Sequence, residues 1–221
     1  MGPIALPRSG PLQFAKNDTI DPNMTQSIKE AGVITAEDVK QQVNAYIESL
    51  FNERIQEADA LHPRYTTLWK ATQTLFKSGG KRMRPYLVML AYTAYGGDQT
   101  DAILPAAVSQ ELLHQAMLIH DDIIDRDTVR YGTKNVSGQY VDDYLSILKE
   151  HDARHFADGA AVIAGDFLLS EAFFQLNQIP IDGALKRKAY QSLHTSVFKV
   201  VGGELLDTEA SFYTPATILL G

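Results

Sequence analysis

Three aspartates stand at the end of a long apolar segment. Asp121, Asp122 and Asp125 follow the run Leu118-Ile119-His120. On a helix, residues four apart lie ~40° apart around the axis and one turn apart along it, whereas Asp122 is offset from Asp121 by ~100°. Carboxylates this close repel one another unless a cation neutralises them, and hard oxygen donors suit Mg²⁺. The spacing indicates a magnesium site, although for this motif alone a solvated acidic helix end is the commoner explanation.

A basic cluster occupies residues 79–85, which read Gly-Gly-Lys-Arg-Met-Arg-Pro. Glycines allow the backbone to approach a ligand closely, and an arginine fork matches phosphate geometry. Proline is favoured in the first turn of a helix, whose N-terminus offers free amide donors to an anion. The segment is therefore a candidate diphosphate site. A helix–helix turn with solvated charges is an equally good interpretation of the cluster by itself.

Composition excludes several classes of function. The 221 residues carry a formal net charge of −7 and no cysteine, which disfavours nucleic acid as a partner and excludes thiolate zinc sites and cysteine nucleophiles. We find no apolar run near the ~18 residues that would span a bilayer and no secretory signal. We therefore expect no nucleic acid partner, no integral membrane segment and a cytoplasmic location.

Hydrophobic periodicity predicts an all-α fold. Apolar residues recur at three- and four-residue spacing through most of the chain, and no alternating strands with hairpin turns are evident. Residues 1–34 contain four prolines without a sustained period and are predicted to form a flexible or loosely docked arm, followed by a helical domain over 35–221. The predicted helices begin at Ala36 and then cover residues 65–76, 86–95, 103–125, 159–178 and 184–210.

Six segments in one order resemble the trans-isoprenyl diphosphate synthases, the polyprenyl synthetase family. They are GGKRMRP, ELLH at residues 111–114, LIHDDIID, Arg130-Tyr131-Gly132, GDFLL at residues 165–169, and GELLD at residues 203–207. The resemblance implies an isoprenoid-synthase-type bundle of antiparallel helices around a central apolar cavity. It also implies condensation of isopentenyl diphosphate with an allylic prenyl diphosphate, Mg²⁺ as cofactor, and a homodimer.

The resemblance also implies the roles of single residues. Gly80, Lys81, Arg84 and His114 match positions that hold the diphosphate of isopentenyl diphosphate. The three aspartates match the first aspartate-rich motif, which binds Mg²⁺ bridging to the allylic diphosphate, and Arg130 matches an arginine that contacts that diphosphate. The catalytic set implied is thus the three aspartates with Lys81 and Arg84.

Two further pairs of residues follow from the same resemblance. Glu204 and Asp207 match a substrate-binding position on a later helix. Ala116 and Met117 stand five and four residues before the first aspartate, where the family floors the pocket for the growing chain. Because alanine leaves space there and methionine is flexible, we hypothesise a product of C20 or longer.

The sequence departs from the family pattern in two places. It stops at Gly221 before a second aspartate-rich motif, so the residues present supply only half of the expected metal cage. Tyr131 stands where the family has a second arginine. We expect either a fragment of a longer synthase, which we favour, or a truncated, noncatalytic or partner-dependent subunit that binds diphosphates without turnover.

Two other classes of protein explain the sequence less well. A terpene cyclase or squalene-type synthase shares aspartate-rich motifs but does not need the basic segment for isopentenyl diphosphate. A helical scaffold with solvated charge clusters does not account for six motifs in family order.

Overall fold

The computed structural model describes residues 34–212, which form seven helices and one short hairpin. The predicted all-α fold is confirmed. The predicted arm lies outside the described residues except for residue 34, so the domain boundaries stay predictions. The elements are α1 Ala36–Leu61, α2 Pro63–Lys77, α3 Met83–Ala94, α4 Thr100–Ile124, β1 Val129–Arg130, β2 Thr133–Lys134, α5 Val136–Tyr144, α6 Glu150–Asn177 and α7 Gly183–Ser211.

Helices α4 and α6 form the centre of the bundle and share the largest interface among the described helices. Their facing side chains are mostly small, such as Ala116 on α4 and Ala164 and Ala172 on α6, all of them buried. Small side chains let the helix axes approach closely, and the Ser109 hydroxyl donates a 2.7 Å hydrogen bond to the Ala172 carbonyl across the interface. The aspartates at the end of α4 therefore continue from the helix pair with the largest interface among the described helices.

An aromatic cluster fixes α1 and α2 to this centre. The Phe51 ring lies 5.4 Å from the Trp69 ring in an edge-on arrangement, and Trp69 lies 4.6 Å from Phe167 of α6. Edge-to-face pairs of this kind add to the free energy gained by burying the rings. The cluster fixes the end of α2 from which the basic segment continues.

Two predictions about the elements were wrong. Helix α6 begins at Glu150 rather than Gly159, because its first turns are charged outside and bury only small residues such as Ala153 and Ala157. The β1–β2 hairpin and α5 were not predicted. The two hairpin turn residues, Tyr131 and Gly132, both have positive φ, 53° and 76°. That geometry suits a two-residue hairpin, but tyrosine is not a residue that signals it.

Helix α7 is thinly packed. Leu193 is its one buried residue within the described structure, and α7 makes few contacts with α6. The Tyr190 hydroxyl donates a 2.9 Å hydrogen bond to the Phe173 carbonyl and holds the first half of the helix in place. Farther along, Phe198, Leu205 and Leu206 are exposed, so α7 presents an uncovered apolar face.

Helix α6 is long and apolar enough to cross a membrane by length and hydropathy alone. Half of the apolar stretch is buried within the bundle. The helix also buries Glu171, which pairs with Arg54 at 3.1 Å. These are the features of a central bundle helix, which can be as long and as apolar as a membrane-spanning one.

Candidate diphosphate and metal site

The loop between α2 and α3 has a backbone that requires glycine. Gly80 has φ 116°, and a Cβ added there would lie 2.4 Å from Nη1 of Arg82. Arg82 itself adopts the left-handed conformation, with φ 51°, as the residue preceding α3. The loop therefore folds tightly around the Arg82 side chain.

Arg82 is a structural residue rather than a ligand-binding one. It is 5% exposed, and its guanidinium donates to Oδ1 of Asn44 at 2.9 Å, Oε1 of Glu111 at 2.8 Å and the Phe76 carbonyl at 2.7 Å. A buried charge needs such complete pairing. Lys81 and Arg84 on either side are exposed and remain free to bind an anion. The sequence alone did not separate these roles.

His114 of α4 lies within electrostatic range of Arg84 and Arg130. Burial lowers the pKa of His114, and the positive charges of Arg84 and Arg130 lower it further. The negative charge of Glu111 raises the pKa but does not cancel these effects. The imidazole is therefore driven towards its neutral form while no anion is bound. An anionic ligand among these groups would offset their mutual repulsion. We call Lys81, Arg84 and His114 the basic cradle.

The first two aspartates form ion pairs with Arg130. Its Nη2 lies 2.7 Å from Oδ2 of Asp121, and its Nε lies 2.6 Å from Oδ1 of Asp122. Asp122 is only 2% exposed. Burial raises the pKa of the Asp122 carboxyl and outweighs the opposing effect of Arg130. Burial also lowers the pKa of Arg130, but its bonds to the two carboxylates leave it raised.

The carboxylates fit a magnesium ion in chemistry, although they do not yet converge on one. Oδ2 of Asp122 is buried without a hydrogen-bond partner, so one hard oxygen donor is available. Asp125 caps the end of α4 and is exposed. Within residues 34–212, no three acidic or histidine side chains gather closely enough to hold an ion. The guanidinium of Arg130 pairs with Asp121 and Asp122 and so neutralises the carboxylates that a magnesium ion would otherwise neutralise.

Helix α7 brings two more carboxylates towards the aspartates. The pKa of Glu204 is raised, first by partial desolvation and then by the negative charges of Asp121, Asp207 and Asp125. Glu204 is thus within electrostatic range of Asp121 and Asp125, although 83 and 79 positions separate them in the sequence. The arrangement concentrates negative charge beside the basic cradle.

Asn135 belongs to this site and was not identified from sequence. It is 1% exposed, caps α5 by accepting from the Gly138 amide at 2.8 Å, and donates to the Asp127 carbonyl at 2.7 Å. Its side chain also lowers the pKa of Asp122, partly offsetting burial. Asparagine before a helix is an N-cap signal that could have located it.

The GDFLL segment supports the site from α6. A Cβ added to Gly165 would lie 2.2 Å from Nε2 of His120, so glycine is needed for the imidazole to pack there. The same nitrogen lies 3.5 Å from Oδ1 of Asp166 and 3.4 Å from the Val162 carbonyl. The segment therefore positions the residue that immediately precedes the aspartates.

The two residues matched to the chain-length position differ in burial. Ala116 is completely buried, whereas its neighbour Met117 is partly exposed. Ala116 therefore belongs to the packed interior of α4, and Met117 lies beside the open side of the helix.

Two known proteins that match this chain in sequence are prenyl diphosphate synthases. A geranylgeranyl diphosphate synthase of Methanosarcina mazei is 34% identical over 142 residues, which are 64% of this chain and 39% of the relative. A farnesyl diphosphate synthase of Micrococcus luteus is 30% identical over 176 residues, 78% of this chain and 52% of the relative. The chain thus spans about two fifths to one half of these relatives.

Solved structures agree with the sequence comparison. A geranylgeranyl pyrophosphate synthase from Corynebacterium glutamicum, complexed with isoprenyl diphosphate and magnesium, matches with TM-score 0.66 and 25% identity over 78% of this chain and 50% of that one. The Geoglobus acetivorans enzyme matches with TM-score 0.63 and 26% identity, over 80% and 50%. The polyprenyl synthetase family model covers residues 65–217. The chain therefore belongs to the polyprenyl synthetase family.

Proposed function

We propose that this chain carries the substrate-gripping half of a Mg²⁺-dependent prenyltransferase, which condenses isopentenyl diphosphate with an allylic diphosphate. One observation carries the proposal. His114 of the basic cradle is within electrostatic range of Arg84 and Arg130, and Arg130 is bonded to Asp122, so Arg130 links the cradle to the aspartates. Two diphosphates and a cation can be held in such a juxtaposition.

The cradle would bind the diphosphate of isopentenyl diphosphate. Lys81 and Arg84 lie at the N-terminus of α3, where free backbone amides add positive potential. His114 would donate from its ring, and the arriving negative charge raises its pKa again. These groups would hold the nucleophilic double bond in place, so its attack on the allylic carbon becomes effectively unimolecular.

The aspartates Asp121, Asp122 and Asp125 would hold the metal. Bound Mg²⁺ supplies positive charge to the leaving allylic diphosphate and lowers the barrier to breaking its C–O bond. Arg130 would turn from the carboxylates to that diphosphate and stabilise the charge developing on it. Glu204 of α7, within electrostatic range of Asp121 and Asp125, and Asp207 beside it would bind substrate from the facing helix.

The product is proposed to be C20 or longer. Ala116 places no bulk at the position that would floor the pocket, and Met117 beside it can change its rotamer. A product of C10 or C15 from a completed enzyme would overturn this part of the proposal. We also propose a homodimer, since the exposed apolar side chains of the bundle offer a surface for pairing. We propose a cytoplasmic location as well.

A second candidate is a subunit that binds diphosphates without turnover. It is favoured by the source of the acidic ligands, which come from α4 and α7 alone among the described helices. Binding would then survive while bond cleavage does not occur.

A prenyl-transfer assay tests both candidates. Labelled isopentenyl diphosphate, farnesyl diphosphate and Mg²⁺ are given to this chain and to a chimera that adds the C-terminal half of the Methanosarcina mazei synthase. EDTA and Asp121→Ala serve as controls. Elongated product that both controls abolish supports the synthase. Diphosphate binding by calorimetry without product from either protein supports the subunit, and neither binding nor product rejects both.

A further inference from the structure

A cavity of about 370 Å³ lies behind the glycine loop, between α1, α2 and residues 79–82. Its volume falls in the range of small-molecule sites. Lys81, Arg84 and His114 do not line it, so it is distinct from the basic cradle. Gly79 and Gly80 form one wall, and therefore the cavity and the cradle share a single loop.

The rim of the cavity carries an excess of positive charge. Lys40 of α1 lines it and makes no ion pair with any described residue. Lys77 at the end of α2 lies 3.6 Å from Glu48, which also lines the cavity, but both side chains are more than half exposed, so this pair is weak. The two lysines against one glutamate leave the rim with one positive charge in excess. In a chain of net charge −7, a locally cationic cavity favours an anionic ligand.

Two side-chain amides of the lining have donors to spare. Nε2 of Gln73 is shielded from solvent and has no acceptor among the described residues. Asn44 uses its Oδ1 to accept from Arg82 at 2.9 Å, which leaves its Nδ2 as a donor without an acceptor in residues 34–212. The buried Nε2 of Gln73 without an acceptor is unfavourable and calls for an explanation, whereas Asn44 is exposed and its Nδ2 is open to solvent.

The floor of the cavity is apolar. It is formed by Ile47, Phe51 and Phe76, which belong to the core of the α1–α2 pair. Amides and lysines above an apolar floor match a ligand with a charged head and a short hydrocarbon body.

We propose that this cavity binds a small phosphate ester. The phosphate lies between Lys40 and Lys77 and accepts from the amides of Gln73 and Asn44, and the organic part rests on Ile47 and Phe76. The site goes beyond the proposed prenyl transfer, because none of these residues belongs to the cradle or to the aspartates. A ligand there holds the Gly79–Gly80 wall and thereby the loop that presents Lys81.

Calorimetric titration of the 221-residue chain with inorganic phosphate and with butyl phosphate, without Mg²⁺ and at low ionic strength, tests the proposal. We expect both probes to bind and butyl phosphate to bind several-fold more tightly, because its chain buries methylene groups. Lys40→Gln and Lys77→Gln should each weaken binding about threefold, and the double variant about tenfold. Gln73→Leu should also weaken binding.

Matched variants show where the phosphate binds. Lys70→Gln removes an exposed lysine of α2 outside the cavity and should leave phosphate affinity unchanged. Arg84→Gln removes a cradle cation and weakens any phosphate binding there, and the losses caused by the Lys40 and Lys77 substitutions should persist in its background. Binding that is lost in Arg84→Gln but kept in the Lys40 and Lys77 variants puts the anion in the cradle and overturns the proposal. Absence of binding, or equal weakening by Lys70→Gln, also overturns it.

A thermal measurement gives an independent readout. Gln73→Leu removes an unpaired buried donor and should raise the Tm without phosphate. Phosphate should then raise the Tm of this variant less than that of the parent chain. A Tm increase by phosphate that is the same in both proteins would count against a role for Gln73.

Discussion

Arg130 donates from its Nε to Oδ1 of Asp122 over 2.6 Å, although the two residues are eight positions apart in the chain. The β1–β2 hairpin folds this arginine back onto the end of α4. The cation matched to a substrate diphosphate therefore rests on the carboxylates matched to the metal. A metal ion bound by these carboxylates would therefore be linked to the release of Arg130, since the ion and the guanidinium would compete for the oxygens of Asp121 and Asp122.

Arg130→Gln should lower the free energy of unfolding by about 2 kcal/mol, because Asp122 would stay buried without its partner. Urea unfolding measures this, with Arg126→Gln as an exposed control in the same segment. Mg²⁺ should raise the Tm of Arg130→Gln by more than that of the parent chain, since no cation competes. An equal or smaller Mg²⁺ shift would contradict the linkage.

Asp122→Asn should stabilise the chain at neutral pH while abolishing metal-dependent activity. Burial raises the pKa of Asp122 above its ordinary 3.8, so the folded state binds this proton more tightly than the unfolded state. The contribution of the protonated form is thus complete below pH 3.8 and lost as pH rises through the folded pKa. Asparagine imitates that form at every pH.

Urea unfolding from pH 4 to pH 8 checks this expectation. The stability of Asp122→Asn relative to the parent should rise through that interval and then level off. Prenyl transfer by the completed enzyme should fall by about two orders of magnitude or more. A variant less stable than the parent at pH 7 would show that the Arg130 pair outweighs desolvation.

Gly165→Ala should destabilise the bundle by about 1–2 kcal/mol, because the new methyl group would displace the His120 ring. Gly159→Ala is the matched control on the same helix, with nothing within 4 Å of the added Cβ. It should stabilise by about 0.5–1 kcal/mol through helix propensity. His120→Ala combined with Gly165→Ala should recover most of the loss; two additive effects would argue against the contact.

Arg82→Lys should cost about 3 kcal/mol of stability, because an ammonium cannot serve the three acceptors that the guanidinium fork reaches. Lys81→Gln, one residue earlier and exposed, should change stability by no more than about 0.5 kcal/mol. Titration with isopentenyl diphosphate should show the converse, with affinity reduced in Lys81→Gln. Equal stability of Arg82→Lys and the parent would reject the structural role.

The sequence was sufficient for elements whose apolar period is long. The start of α1 at Ala36 and the limits of α7 were predicted to within about a residue, because capping residues and periodicity agree there. The first turns of α6 were missed because buried alanines carry little hydrophobic signal. The β1–β2 hairpin was missed because Tyr131 adopts a positive φ, a conformation that a tyrosine in the sequence does not predict.

The candidate site was predictable in its residue types and less so in their contacts. Charge and spacing singled out the basic segment and the aspartates, but the assignment of Arg82 to the interior depends on Asn44 and Glu111, which are distant in sequence. The pairing of Arg130 with Asp122 depends on the hairpin. The sequence carries an N-cap signal at Asn135, but the burial of its side chain beside Asp122 depends on the packing of α5.

The ion pair between Arg82 and Glu111 has an evolutionary consequence. The two residues lie 29 positions apart, in the GGKRMRP and ELLH segments, and both are buried. A substitution at one position leaves a buried, unpaired charge at the other, so replacing one residue lowers stability more than replacing both by apolar residues. We therefore expect homologous sequences to show positions 82 and 111 changing in concert.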